Sequence, residues 1–369
     1  MTQSMQQSGL QPSENSPRNI LIDASWWLGG NRNRGIGKYL EYLFLKDTLL
    51  KNNNFFWLFP KKLSKYQLNE FKTKFPGEVI EFETYQLLKN KEQRYKQLVA
   101  HFSINEVFLA SPFERPWSLL QEIEFFDTLK IKRSAIIFDL IPLQLAKDIL
   151  NTWPKYQQIN YKNNIKKLKK IDCLYCISPF TQKAVEQLLN TKNQKVTLIS
   201  FGLKTDWLEI PQTPFSKKNS TTPGSINLLT PVQKTQQKKK LKRAITISGG
   251  DPRKNLNGTL EYFAKKLAKD HLLRVICKLN WRERFQYRWQ TWRLGIANKV
   301  DFLGEISEIR KWQYLRDSDI FLFLSQAEGL GIPLLEAKKA GINNFVLSKQ
   351  LYEQGFAKIL ELPNAVVAD

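Results

Sequence analysis

The stretch Ile320-Phe-Leu-Phe-Leu-Ser325-Gln-Ala-Glu328-Gly-Leu-Gly331-Ile-Pro333-Leu-Leu-Glu336-Ala decides the fold. Its apolar start, 320–325, has the length of a buried strand, and a helical pattern begins at Pro333. A glycine-rich loop with Glu328 therefore joins a strand to a helix with Glu336. Glycines let the backbone approach a ligand closely, and helix N-termini favour anions. The pattern favours two glutamates that hold hydroxyl groups while backbone N–H groups face a phosphate.

Short apolar runs alternate with helical patterns on both sides of this stretch. Strands are predicted at 19–24, 55–59, 77–82, 106–110, 134–139, 174–178, 244–248, 272–279, 300–303, 320–325, 344–347 and 365–367. Helices are predicted at 38–50, 256–269, 283–293, 307–316 and 333–340. This alternation predicts an α/β fold with mostly parallel sheets that are covered on both faces.

The segment Pro211–Arg243 interrupts the alternation. It contains four prolines and eight Lys or Arg residues, and no acidic residue. Such a composition predicts an exposed basic linker or long loop. We therefore expect a disordered tail at 1–18, an N-terminal Rossmann-like domain at 19–203, a basic linker at 204–243 and a C-terminal Rossmann-like domain at 244–369. Two such domains predict a central cleft at the carboxyl ends of their strands.

Composition limits the partners and the compartment. The 369 residues carry a formal net charge of +23, which indicates an anionic partner such as a phosphate-bearing metabolite, a nucleic acid or an acidic membrane. The three cysteines provide no disulfide framework, and Cys173 and Cys176 lie in a predicted strand, where burial is a better interpretation than a metal site. The sequence shows no secretory signal and no apolar run long enough to span a bilayer. We expect a cytoplasmic protein.

Two further loops combine glycine with basic residues. In Ser248-Gly-Gly-Asp-Pro-Arg253-Lys254-Asn255 a predicted strand ends in a loop just before a helix. Arg and Lys at a helix start suit a diphosphate, because charge-assisted hydrogen bonds and the helix dipole act together. The earlier loop, which ends Arg34-Gly35-Ile-Gly37-Lys-Tyr39, has the same arrangement. Phosphate contact and a purely structural turn are equally good interpretations of Gly35 and Gly37.

Together these segments resemble a known enzyme family. The spacing from Glu328 to Glu336 resembles the E-x7-E signature of the retaining group 1 (family 4) glycosyltransferases, which have the GT-B fold. Pro-Arg253-Lys254-Asn resembles their phosphate-binding segment, and Val300–Ser307 is similar to their strand and loop around the nucleotide base. The Arg34–Tyr39 loop is similar to their N-domain G-I-G-R-Y segment.

The resemblance implies a role for each matching residue. Arg253 and Lys254 would bind the donor diphosphate and stabilise the leaving group, and Glu328 would contact the transferred sugar. Glu336 would contact the ribose. The remaining donor-binding positions would be Gly329, Leu330 and Gly331, which offer backbone donors, Gly35 and Gly37, which close on the donor, and Asp139.

The implied reaction moves a hexose from a nucleoside diphosphate sugar to an acceptor hydroxyl with retention, in polysaccharide or glycolipid synthesis. The acceptor would be a sugar or a lipid-linked molecule. No cofactor and no metal are expected. Catalysis would depend on positioning and on electrostatic help to the leaving group.

The match departs from the family pattern in two places. Phe138 precedes Asp139 where the family has His, and phenyl cannot donate a hydrogen bond. Asp139 is equally well interpreted as the cap of a turn. The sequence also ends just after its last predicted strand, so we expect an incomplete second domain. The apolar strands at 320–324 and 344–347 would then be exposed.

These departures leave a second interpretation open. A catalytically dead or truncated relative that acts as a binding module would explain both of them. A nucleic-acid-binding protein is a third interpretation, but no recognition motif supports specific nucleic-acid binding.

Two helical segments bear on a membrane contact. The segment Lys61–Phe75 mixes lysines with apolar residues and predicts either a helix on anionic lipid at the inner face of the membrane or an ordinary covering helix. Trp281, Phe285, Trp289 and Trp292 recur at helical spacing. We predict that these four aromatic residues face the core.

Overall fold

The computed structural model describes residues 17–28, 32, 35–47, 50–85, 90–113, 118–211 and 241–368. The chain divides into two compact units. The first comprises Met1–Gln144 and Trp153–Phe201, and the second comprises Leu145–Thr152 and Gly202–Asp369. Most of the predicted tail, most of the loop before Gly35 and residues 212–240 of the predicted linker lie outside the described residues.

The first unit contains a parallel sheet of order β3-β2-β1-β4-β5-β6-β7. Its strands are β1 Asn19–Asp23, β2 Asn54–Phe59, β3 Glu78–Glu81, β4 Glu106–Leu109, β5 Lys132–Ile137, β6 Cys173–Cys176 and β7 Lys195–Leu198. The helices between them are α1 Gly35–Leu45, α2 Lys65–Lys74, α3 Lys91–His101, α4 Ile123–Thr128, α5 Ile141–Gln144, α6 Lys155–Leu168 and α7 Pro179–Leu188.

The second unit contains a parallel sheet of order β10-β9-β8-β11-β12-β13. Its strands are β8 Lys242–Ile247, β9 His271–Ile276, β10 Val300–Gly304, β11 Ile320–Phe323, β12 Phe345–Leu347 and β13 Ala365–Val367. Its helices are α8 Leu256–Tyr262, α9 Trp281–Arg293, α10 Glu308–Arg316, α11 Ile332–Lys339, α12 Lys349–Glu353 and α13 Phe356–Ile359.

Both sheets follow the strand order of a Rossmann-like domain. The chain winds outward from its first strand in one direction and then in the other, so neighbouring strands β8 and β11 flank a topological switch point. Strands buried on both faces explain the continuous apolar runs of the sequence. Phe321 and Leu322 of β11, for example, are fully buried. The predicted α/β fold with two Rossmann-like domains is confirmed.

The expected exposure of β11 and β12 is wrong. Phe345 and Leu347 of β12 are fully buried, and Phe321, Leu322 and Phe323 of β11 are buried as well. The sequence patterns did not predict the short helices α12 and α13, whose residues Leu351 and Phe356 are also fully buried. Elements this short carry too few residues for a clear helical pattern.

The two amphipathic segments differ in what they bury. Helix α2 packs Phe71 and the adjacent Phe75 near Trp57, with ring centroids 5.2 Å away in both cases, as an ordinary covering helix does. The aromatic residues of α9 are exposed, so the prediction that they face the core is wrong. The buried positions of α9 are Gln290 and Thr291 on the other side of the helix.

Candidate functional site

Two loops of the second unit follow the two strands at its switch point. We call them the basic loop, which contains Arg253 and Lys254, and the glutamate loop, which contains Glu328. Arg253 and Lys254 come after β8, and Glu328 comes after β11. Because β8 and β11 are neighbouring parallel strands, their carboxyl ends meet at one edge of the sheet. Ligands of open α/β sheets bind at this position. The topology thus brings together the three residues, Arg253, Lys254 and Glu328, to which the resemblance gives roles at the diphosphate and the transferred sugar.

The basic loop has a fixed backbone. Pro252–Lys254 forms a 3-10 turn whose start is capped by Asp251, which accepts hydrogen bonds from Arg253 N and Nε, both at 3.0 Å. Asn255 adopts a left-handed conformation with a φ of 48° and caps α8 by accepting from Gly258 N at 3.1 Å. The two cations therefore lie directly before a helix N-terminus. The capping role of Asp251 was missed from the sequence, although Asp two residues before Arg is a usual turn signal.

The glutamate loop is also constrained. Ser348 Oγ donates to the carbonyl of Ser325 at 2.6 Å, and Leu330 is buried. Gly331 has a φ of +73° and begins α11. A Cβ at this position would lie 3.2 Å from side-chain atoms of Leu334 and of Phe356, so the site has room only for glycine without a shift. Gly329, Leu330 and Gly331 thus form a closely packed segment that leads into α11.

Hydrogen bonds join the two loops directly. Gln326 N donates to the carbonyl of Arg253 at 2.8 Å, and Arg253 Nη1 donates to the carbonyl of Ala327 at 2.9 Å. Arg253 Nη1 also lies 3.0 Å from Glu328 Oε2, and Lys254 Nζ lies 2.6 Å from Glu328 Oε1. Each carboxylate oxygen of Glu328 therefore receives one cation. The arrangement is a preformed cluster of two positive charges on one negative charge.

The ion pairs keep Glu328 charged in a buried position. Only 8% of its side chain is exposed. Burial works to raise the pKa of Glu328, but Lys254 and Arg253 outweigh it and hold the pKa below its usual range, with hydrogen bonds from Lys254 and Ser325. The Lys254 ammonium also lies 5.1 Å from the ring centroid of Phe323, a cation–π contact. The site can thus offer desolvated positive charge to an anionic ligand.

Glu336 belongs to a second charged cluster on α11. Its Oε1 accepts from Lys311 Nζ at 2.6 Å, and Lys311 also donates to Glu308 at 3.0 Å. Burial works to lower the pKa of Lys311, but the two carboxylates raise it above its usual range. Lys311 was missed from the sequence, because no local pattern pairs a residue of α10 with one of α11. The two glutamates of the E-x7-E pattern, Glu328 and Glu336, therefore pair with different cations.

The remaining predicted site residues lie in the first unit. Gly35 begins α1, and a Cβ on Gly37 would lie 2.1 Å from the carbonyl oxygen of Arg32, so close backbone packing explains this glycine. Asp139 Oδ1 accepts from Ile141 N at 3.1 Å and caps α5, the second role that the sequence left open. Phe138 packs edge-to-face with Tyr39 at 5.6 Å between centroids.

A cavity of about 480 Å³ lies beside Asp139 within the first unit. Its walls combine aromatic residues with polar residues of α6, and they include Phe138, Trp153, Tyr156, Asn160 and Tyr161. The hydroxyl of Tyr161 is buried without a hydrogen-bond partner among the described residues, and burial raises its pKa above the usual range. Aromatic rings beside amide groups are the surfaces that small hydroxylated ligands need. The sequence did not predict this cavity, since its walls come from segments far apart in the chain.

Among the residues that the structure describes, no group of three or more His, Cys, Asp or Glu side chains could hold a metal ion. Within the same part of the chain, no helix is long and apolar enough to cross a bilayer.

Part of the C-terminal half of the chain is similar to a known protein family. Residues 231–352 match the family model "Glycosyl transferases group 1". This range contains Arg253, Lys254, Glu328 and Glu336. A sequence comparison with curated proteins finds no match.

Solved structures support the fold over most of the chain. The complex of Anabaena Alr3699/HepE with UDP and glucose has a TM-score of 0.57 at 14% identity and covers 91% of this chain and 82% of that one. Sucrose-phosphate synthase from Thermosynechococcus elongatus has a TM-score of 0.56 at 12% identity, with coverages of 95% and 86%. The lipopolysaccharide outer core galactosyltransferase WaaB has a TM-score of 0.53 at 13% identity, with coverages of 90% and 80%. The chain therefore has the GT-B fold of two Rossmann-like units, and its residues 231–352 match the group 1 glycosyltransferase model.

Proposed function

We propose that this chain transfers a hexose from a nucleoside diphosphate sugar to an acceptor hydroxyl with retention and without a metal. One observation carries the proposal: Arg253 and Lys254 converge on buried Glu328 at the switch point of the second sheet. Loss of a nucleoside diphosphate builds up negative charge on the leaving phosphate. Cations that are already positioned stabilise that charge without reorganisation at the moment of reaction.

The two cations bind the diphosphate in place of a metal ion. In this proposal Arg253 and Lys254 contact the diphosphate, because a guanidinium and an ammonium have five and three N–H donors and can serve Glu328 and phosphate oxygens together. The N-terminus of α8 adds its partial positive charge. Three backbone N–H groups, of Gly329, Leu330 and Gly331, supply further donors before α11.

The two glutamates bind hydroxyl groups in the proposal. Glu328, fixed by its two cations, accepts hydrogen bonds from the transferred sugar. Glu336 accepts from the ribose, and the hydrogen bond from Lys311 orients its carboxylate. A charged acceptor of this kind binds a hydroxyl more strongly than a neutral one does. Gly35, Gly37 and Asp139 stay predictions from the resemblance, since their contacts within the first unit are accounted for by packing and capping.

The cavity of the first unit is the proposed acceptor site. Tyr156 and Trp153 offer ring faces, and Asn160 offers an amide that can bind a hydroxyl. A sugar ring or the sugar of a lipid-linked molecule has both kinds of surface. This chemistry suits polysaccharide or glycolipid synthesis.

Turnover with a panel of donors tests the proposed function. The chain is incubated in EDTA with UDP-, GDP- and ADP-hexoses and simple glycoside acceptors, and release of the nucleoside diphosphate is followed. UDP donors come first, because HepE was crystallised with UDP and glucose. The anomeric configuration of the product is then read by NMR. Release that needs an added metal, or an inverted product, would contradict the proposal, and nucleotide binding without turnover would instead favour a binding module.

A further inference from the structure

One side of α9 presents four large aromatic side chains to solvent. Trp281, Phe285 and Trp292 are 75%, 74% and 71% exposed, and Trp289 is 51% exposed. At about 100° per residue, these four positions fall within about 80° of the helix circumference. We call them the aromatic stripe. Contiguous exposed apolar surface of this kind marks an interaction site in a soluble protein.

The packing of α9 holds the aromatic stripe outward. Gln290 and Thr291, on the other side of the helix, are buried against the second unit. A capping box between Asn280 and Glu283, with hydrogen bonds of 2.8 and 2.9 Å, fixes the start of the helix. A rotation that turned the stripe inward would expose the buried Gln290 and Thr291.

Arginines border the aromatic stripe on both sides. By helical position, Arg284 and Arg288 lie along one border, and Arg282 and Arg293 lie along the other. The guanidinium of Arg282 lies 5.1 Å from the Trp281 ring centroid, and that of Arg293 lies 5.1 Å from the Trp289 centroid. The surface is therefore apolar in the middle and cationic at its edges. A complementary partner has an anionic surface layer with an apolar layer just beneath it.

We propose that the aromatic stripe docks the chain on an anionic lipid bilayer. Tryptophan rings partition to the headgroup level of bilayers, and each basic residue near an anionic leaflet adds attraction. A helix that lies in the interface with arginines beside aromatic residues combines both effects. The net charge of +23 acts in the same direction.

The stripe begins at the end of the sheet where the candidate site lies. Helix α9 begins after β9, the neighbour of β8, so its start is at the carboxyl edge. A Cβ on Gly250 would lie 2.2 Å from Glu283 Oε1, which places the start of α9 against the loop that carries Arg253 and Lys254. Docking would bring this loop close to a lipid-linked acceptor. The docking itself does not depend on the transfer reaction.

Other surfaces and occupants fit the observations less well. The α2 segment uses Leu63, Phe71 and Phe75 in the core and exposes only Tyr66 among its large apolar residues, so it has little to insert. A second copy of the chain would bring two sets of arginines together, and like charges repel across an interface. Single-stranded nucleic acid favours a groove that follows its backbone, whereas α9 is a convex surface.

Vesicle flotation of the full chain tests the docking. We expect the chain to float with phosphatidylcholine vesicles that contain phosphatidylglycerol, and much less with phosphatidylcholine alone or at high salt. Replacement of the whole stripe should weaken binding at least about tenfold, because each aromatic side chain loses apolar burial. The substitutions are Trp281→Ser, Phe285→Ser, Trp289→Ser and Trp292→Ser. A matched variant with four other exposed apolar residues replaced should float like the wild type, the substitutions being Tyr66→Ser, Ile159→Ser, Leu188→Ser and Tyr352→Ser.

Tryptophan fluorescence of the wild type gives a readout without substitutions. Among the tryptophans that the structure describes, Trp281, Trp289 and Trp292 are the exposed ones, so quenching by bromine-labelled lipids should come mainly from the stripe and should be reduced in the stripe variant. No flotation with the anionic vesicles, flotation of the stripe variant at the wild-type level, or absence of lipid quenching would each overturn the proposal. A stripe variant that loses only RNA binding or only self-association would overturn it as well.

Discussion

Lys254 Nζ donates to Glu328 Oε1 across 2.6 Å, although 74 residues separate the two in the chain. The pair joins the loop after β8 to the loop after β11. With Arg253 on the other carboxylate oxygen, it forms the charged cluster of the candidate site. The side chains of Lys254 and Glu328 are 17% and 8% exposed, so solvent screens this pair much less than a surface pair.

A double-mutant cycle should show that Lys254 and Glu328 are coupled. Glu328→Gln leaves two cations with reduced compensation, and we expect the free energy of unfolding to fall by about 2–4 kcal/mol. Addition of Lys254→Met should restore part of this loss, with a coupling energy of about 1–3 kcal/mol. Urea unfolding of the four proteins measures it. Strictly additive effects would mean that the pair has no energetic role.

Acid should remove the contribution of Glu328 to stability. Its pKa is lowered in the folded state from the usual value of 4.5, so the contribution is present above that value and is lost as the pH falls through the folded pKa. Melting temperatures of the wild type and of Glu328→Gln should therefore differ at neutral pH and converge at low pH. A difference that stays constant down to strong acid would count against the ion pairs.

Gly331→Ala should disturb both packing and activity. The change forces a side chain into a φ of +73° and against Leu334 and Phe356, and we expect about 2–4 kcal/mol of destabilisation. Gly295→Ala is the matched control, since its φ is +69° but nothing lies within 4 Å of the added Cβ. The control should lose only about 1 kcal/mol. Equal losses in the two variants would show that the contacts around Gly331 do not matter.

Tyr156→Ala should weaken binding of the acceptor and leave binding of the donor unaffected. Tyr156 is 63% exposed and lines the cavity of the first unit, so its removal should cost little stability. We expect KM for the acceptor to rise about tenfold through the loss of a stacking face, while KM for the donor stays the same. Tyr66→Ala, exposed on α2, should change neither value. A rise in the donor KM alone would place the acceptor elsewhere.

The sequence predicts the scaffold of the site better than its contacts. Strands buried on both faces, such as β11, leave continuous apolar runs that are visible without a structure. Strand β7, Lys195–Leu198, is short and only partly buried, so the apolar pattern of its sequence is weak. The pair between Lys311 and Glu336 joins two helices, and no local pattern encodes it.

The error on α9 has a similar cause. Helical periodicity shows that Trp281 and Phe285 share a face, but it does not show whether that face is inside. Burial of Gln290 and Thr291 instead depends on how α9 meets the sheet. Tertiary packing therefore decided the orientation of the helix.

Calorimetric titration with nucleoside diphosphates in EDTA tests the central claim most directly. We predict that the wild type binds at least one of UDP, GDP and ADP without metal. Lys254→Met should weaken binding at least about tenfold, because it removes a desolvated cation from the phosphate site. Lys349→Met, whose side chain is 73% exposed on α12, should bind like the wild type. Absence of binding, dependence on a metal, or equal affinity of Lys254→Met and the wild type would contradict the account.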